Sequence, residues 1–141
     1  SVDEMQGQAG NDWLRGGVGD DHLIGGDGND FFFGGGYADV YRGGNGADIF
    51  KFDAQNIGVK AGTTNIDTII DLQSIDKLDF SALTTAAKVT GDPTADFTTQ
   101  VVLSGTMLQL VTATGVIDIA LFDHNYTVTV DQLVSWDAFV F

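Results

Sequence analysis

The sequence predicts an all-β chain in two parts, a repeat array followed by a β-rich cap. Three observations carry that expectation. Of the 19 glycines, 14 lie in residues 1–51. In the same stretch, aspartate and large apolar residues recur every nine positions. Over residues 52–141 glycine thins out, and short apolar runs alternate with polar residues. A length of 141 residues suits one domain, or one array with its cap.

From Gly7 the chain divides into five gapless units, GQAGNDWLR, GGVGDDHLI, GGDGNDFFF, GGGYADVYR and GGNGADIFK. Position 1 is always glycine (Gly7, Gly16, Gly25, Gly34, Gly43) and position 6 always aspartate (Asp12, Asp21, Asp30, Asp39, Asp48). Position 8 is large and apolar in every unit: Leu14, Leu23, Phe32, Tyr41, Phe50. A flexible linker has no reason to keep an apolar residue in that register. Run backwards, the frame puts Asp3 at position 6 and Met5 at position 8 of a truncated unit, so the chain is expected to be a piece of a longer protein.

This pattern resembles the repeats-in-toxin (RTX) calcium-binding nonapeptide of the hemolysin type. The resemblance covers residues 1–51 and implies a right-handed parallel β-roll that binds Ca2+. Glycines at positions 1, 2 and 4 allow positive φ and close backbone approach, so six residues form a tight turn with inward carbonyls. Three residues then form a strand, with position 8 facing in and positions 7 and 9 facing out. Each unit is half a coil, so units two apart stack on the same edge.

Stacked coils about 4.8 Å apart bring Asp12 near Asp30, Asp30 near Asp48, and Asp21 near Asp39. Two carboxylates at that spacing repel by about 1 kcal/mol in water and about 3.5 kcal/mol at an effective dielectric of 20. A divalent cation between the turns reverses the sign, and calcium accepts the flexible set of carboxylate and carbonyl oxygens on offer. Three sites are expected, joining units 1 and 3, 3 and 5, and 2 and 4, with a partial one between Asp3 and Asp21. Carbonyls of Gly10, Gly19, Gly28 and Gly46 complete the candidate ligand set. Asp27 and Asn45, at position 3, add side-chain oxygens or are simply exposed turn residues. Unit 4 departs from the pattern, because Tyr37 stands where position 4 calls for glycine; unit 1 carries Gln8 at position 2.

Residues 65–83, NIDTIIDLQSIDKLDFSAL, resemble the segment that follows calcium rolls in serralysin-type proteases and in the R-modules of alginate (mannuronan) C5-epimerases. The resemblance implies a strand, a turn at Asp76–Asp79 and a short helix. QVVLSG, TMLQLVTATG and VIDIALF then read as three strands of an antiparallel meander with turns at Gly105 and Gly115. A repeat stack needs its open end covered. Residues 52–141 are expected to do this, and to cover an outward stripe of Trp13, Phe31, Phe33 and Ile49. Arg15, Arg42 and Lys51 sit at position 9, where long stems shield the face while their charges stay wet.

The formal net charge is −14, and 19 of the 20 acidic residues are aspartate. Six Lys and Arg residues cannot neutralise a run of phosphates, which argues against nucleic acid and anionic membranes. The most apolar stretch, Met107–Phe122, is broken by Gln109, Gly115 and Asp118, so membrane insertion is not expected. There is no cysteine for a disulfide or thiolate metal site. Only His22 and His124 offer acid–base chemistry near neutral pH, and no nucleophile, zinc-protease or phosphate-loop motif is present.

The expectation is therefore a noncatalytic, monomeric calcium-binding module of an exported bacterial protein, secreted or at the cell surface. It would fold on meeting extracellular calcium. The ending Asp137-Ala138-Phe139-Val140-Phe141 resembles the signals read by type I secretion transporters, although a terminal strand fits it equally. Two alternatives stand beside this reading: a regulatory, alginate-binding R-module of a mannuronan C5-epimerase, and the terminal module of an adhesin, metalloprotease or lipase.

Overall fold

A computed structural model describes residues 1–52, 66–79 and 81, together with the backbone of 101–104, 107–112, 115–122 and 139–140. The repeats form β1 (Glu4–Ala9), β2 (Trp13–Val18), β3 (His22–Asp27), β4 (Phe31–Gly36), β5 (Val40–Asn45) and β6 (Ile49–Lys51). Odd strands stack in one parallel sheet and even strands in another. The pairing offset is 18 residues, two units, as in Leu23↔Tyr41 and Leu14↔Phe32. The strands are longer than the three residues expected. They run from position 7 to position 3 of the next unit, because the first two glycines stay in the ladder, as in Gly17↔Gly35, and only positions 4–6 turn.

Alternation places position 8 between the sheets. Leu14, Leu23, Phe32, Tyr41 and Phe50 are all buried, and the Phe32 and Phe50 rings stack at 4.9 Å. Fully burying such side chains contributes about 1.5–3 kcal/mol each, and here they join successive coils into one core.

The parallel stacking continues beyond residue 51. β7 (Asp67–Ile69) pairs with β5, and β8 (Lys77–Asp79) pairs with β6. The Asp76–Asp79 segment was expected as a turn; Lys77–Asp79 is instead a strand, with the turn at Ser74 and Ile75. Its hydrophobic register decides this: Leu78 is fully buried opposite Phe50, as a position 8 residue would be. Of the short helix expected beyond it, only Ser81 is described, with helical backbone.

The three strands expected further on are present as β9 (Val101–Ser104), β10 (Met107–Thr112) and β11 (Gly115–Phe122), paired antiparallel in sequence. β11 joins the odd-strand sheet by pairing parallel with β7, and β12 (Phe139–Val140) extends the even-strand sheet alongside β8. Trp13 keeps 84% of its surface exposed, so the aromatic stripe is not covered at its first strand. Among the described residues, no helix is long and apolar enough to cross a membrane.

Candidate calcium sites in the turns

From Asp21 onward, each position 6 aspartate is held by the coil beside it. Its Oδ1 accepts a hydrogen bond from the position 6 N–H two units earlier: Asp12 N to Asp30 at 2.8 Å, Asp21 N to Asp39 at 2.9 Å, Asp30 N to Asp48 at 2.9 Å. Asp3 N donates to Asp21 in the same way. The two expected edges are therefore assembled, one from Asp12, Asp30 and Asp48, the other from Asp3, Asp21 and Asp39.

The second oxygen is different. Oδ2 of Asp12, Asp21, Asp30, Asp39 and Asp48 is buried with no hydrogen-bond donor. A buried carboxylate oxygen without a partner is costly, and a series of them at one position demands a positive counterpart. Among the described residues no arginine or lysine supplies it: the ion pair at the end of the stack, Lys51–Asp79 at 3.9 Å, lies on the outer face.

Glycine at position 1 makes room for these oxygens. A Cβ on Gly7 would lie 2.6 Å from Asp12 Oδ2 and 2.8 Å from the Gly25 carbonyl oxygen. Gly16 and Gly25 face the same combination, with Asp21 and Asp30 and the carbonyls of Gly34 and Gly43. Carboxylate and carbonyl oxygens from adjacent coils thus flank a cradle that any side chain would fill. Hard oxygen donors of both kinds fit calcium. Among the described residues no three carboxylates or imidazoles converge, so a cation here would take two carboxylates and complete its shell from backbone carbonyls.

The remaining candidates fall into place around the turns. The Gly10 and Gly28 carbonyls face the position 4 glycines two units on, Gly28 and Gly46. Gly19 stacks on Ser1 instead. Asp27 and Asn45 are exposed and bonded to each other, Asn45 Nδ2 donating to Asp27 Oδ1 at 2.8 Å. Tyr37 and Gln8, the two departures from glycine, both keep the left-handed backbone of the pattern, at φ 85° and 77°. Unit 4 therefore preserves its turn, and Asp39 is aligned like the others. His22 is an exposed strand residue, and His124 lies outside the described residues.

Electrostatics follows from burial. Asp39 is pushed up to about 6, by desolvation first and then by the Asp21 and Asp20 charges, against the lowering effect of its bond from Asp21 N–H. Asp48 is raised for the same leading reason, with Asp30 and Asp71 adding repulsion against the bond from Asp30 N–H. Burial thus makes the charged form of these carboxylates costlier than in water, and a facing cation offsets that cost.

Two carboxylates of the stack escape the nine-residue frame. Asp67 Oδ1 accepts from Asp39 N at 3.0 Å and Asp76 Oδ1 from Asp48 N at 3.0 Å, extending each edge by one rung. Their offset is 28 residues rather than 18, so ten inserted residues hide the match. Its signal is the spacing itself: Asp67 with Ile69, then Asp76 with Leu78, nine residues on. Position 5 was also missed. Asn11 and Asn29 side-chain oxygens accept from Asn29 N and Ala47 N at 2.9 Å, and Asp20 from Ala38 N at 3.2 Å.

Comparison with known proteins agrees with this geometry. Residues 2–32 and 33–51 match the RTX calcium-binding nonapeptide repeat, in four copies. Among solved structures the chain is similar to the AlgE6R3 subunit of a mannuronan C5-epimerase from Azotobacter vinelandii, determined in solution. The two share 28% identity with a TM-score of 0.66, over 99% of this chain and 78% of that one. No curated protein matches the chain. Residues 2–51 therefore carry RTX calcium-binding repeats, and they fold as stacked parallel strands of a β-roll.

Proposed function

We propose that this calcium-binding β-roll is a noncatalytic, calcium-gated folding unit of a larger exported bacterial protein. Calcium sits between Asp12 and Asp30, Asp30 and Asp48, and Asp21 and Asp39, with a partial site at Asp3 and Asp21. The observation that carries this reading is the set of five buried Oδ2 atoms without a donor. Without calcium they repel one another, and the glycine-rich chain loses much conformational entropy on folding. Calcium binds the folded state and drives folding by linkage. Extracellular calcium modules work at about 10⁻⁴ to 10⁻³ M, so the roll stays unfolded at cytosolic levels. An unfolded chain threads a type I transporter, and folding follows on exit. Circular dichroism across a calcium titration tests the gating: folding on addition of calcium is expected, and a fully formed roll in excess chelator overturns it.

A second reading concerns polysaccharide. Trp13, 84% exposed, stacks on Phe31 at 4.6 Å, and the Arg15 guanidinium lies 5.3 Å from the Phe33 ring centre. With Lys51 these residues line a groove of about 530 Å3. Aromatic faces take sugar rings and the two cations take carboxylates, which favours a uronate polymer such as alginate, in keeping with the epimerase neighbour. NMR titration with mannuronate and guluronate oligomers checks it. Shifts centred on the Trp13 indole are expected; no shifts at millimolar oligomer would reject this surface.

A further inference from the structure

The cation-bearing turns do not run the whole length of the stack. At Asp67 and Asp76 the protein itself supplies donors to the oxygen that is orphaned at Asp12, Asp21, Asp30, Asp39 and Asp48. Asp67 Oδ2 accepts from the Tyr41 hydroxyl at 2.8 Å, in the buried core. Asp76 Oδ2 accepts from the N–H of Gln73, in its own turn, at 2.7 Å. Around Asp76 the closure is more extensive. Asp71 accepts from Gly43 N at 2.8 Å and Gly44 N at 3.1 Å, and the Gln73 amide donates to the Gly44 carbonyl.

That last bond is informative. Gly44 O lies beside the next turn, and a side-chain N–H of that turn takes it. Asp71 stands at the position that glycine occupies in every earlier unit, so the cradle is filled rather than left open. On the other edge, Tyr41 stands at position 8, where the other four units from Gly7 carry Leu or Phe, and it alone among them bears a hydroxyl.

We propose that the Asp39–Asp67 and Asp48–Asp76 rungs are metal-free stops, in which the Tyr41 hydroxyl, the Gln73 amide and the Gln73 N–H take the place of calcium and end the ladder. This inference rests on the calcium reading of the lower rungs. The device sets the number of ions and closes the upper end with groups that cannot be chelated away.

The test counts bound calcium in the loaded, desalted protein by atomic emission, with folding followed by circular dichroism. Asp67→Asn and Asp76→Asn are expected to hold as many ions as the unmodified chain, whereas Asp30→Asn, which serves two rungs, loses two. Loss of an ion from folded Asp67→Asn or Asp76→Asn overturns the inference. Should either fail to fold, Tyr41→Phe carries the test. It removes the hydroxyl bond to Asp67 Oδ2, and one additional ion is expected; an unchanged count overturns the stop on that edge. An unmodified chain that binds no calcium defeats the underlying reading instead, so the two failures are distinct.

Discussion

At the scale of the residue, two kinds of glycine do different work in the turns. Positions 2 and 4 take positive φ, as at Gly26 (116°) and Gly28 (137°), whereas position 1 is glycine because of close approach. Gly34 and Gly36 separate the two causes. A Cβ on Gly34 would collide with Asp39 Oδ2 and the Tyr41 hydroxyl, while one on Gly36 meets nothing within 4 Å. Gly34→Ala is therefore expected to prevent calcium-dependent folding, and Gly36→Ala to leave the urea midpoint almost unchanged. Tyr37 offers the opposite case, a half-exposed side chain in a left-handed turn. That conformation costs a non-glycine residue about 1–2 kcal/mol, so Tyr37→Gly should stabilise the loaded protein by about 1 kcal/mol, read from the same midpoint.

Protonation is also argued here. Asp39 and Asp76 are both pushed up to about 6 by burial, Asp76 further by the Asp48 and Asp71 charges and against its two backbone bonds. An ordinary aspartate lies at 3.8. Between those limits the folded state holds more protons than the unfolded one, so stability falls as pH rises through that window. In chelator, lowering the pH from about 6 towards 4 should favour the folded roll. Thermal melts at fixed ionic strength check the sign.

At the scale of the element, the nine-residue rhythm made the position 8 core and the stacking of Asp12, Asp30 and Asp48 legible from sequence. Both follow from strict periods, nine along the chain and two across a strand. What was not legible has a physical cause. Ten inserted residues shift the frame before Asp67 and Asp76, and in the turn before Asp76 the position 1 glycine gives way to Asp71, whose carboxylate accepts backbone hydrogen bonds. The strand lengths were underestimated because glycine signals a turn, yet the ladder tolerates Gly17 and Gly35 side by side. Phe32 tests the core of these elements, since it is fully buried and in ring contact with both Tyr41 and Phe50. Phe32→Ala should cost about 3–5 kcal/mol in the loaded state, measured by urea unfolding.

At the scale of the whole molecule, a net charge of −14 opposes compaction, and the parallel ladders of the roll depend on contacts at least 18 residues apart. In the repeats the position 8 core lies between the sheets, while the position 6 aspartates lie along both edges. Calcium acts where the repulsion is concentrated, which makes the ion part of the folding free energy rather than an ornament of a finished fold. The most direct measurement is amide hydrogen exchange of Asp12, Asp21 and Asp30 across a calcium titration, since each donates its N–H to the carboxylate of the neighbouring turn. Strong protection that appears together over about 10⁻⁴ to 10⁻³ M calcium, and is lost in excess chelator at neutral pH, is the predicted result. Full protection of those amides in chelator at neutral pH would contradict it.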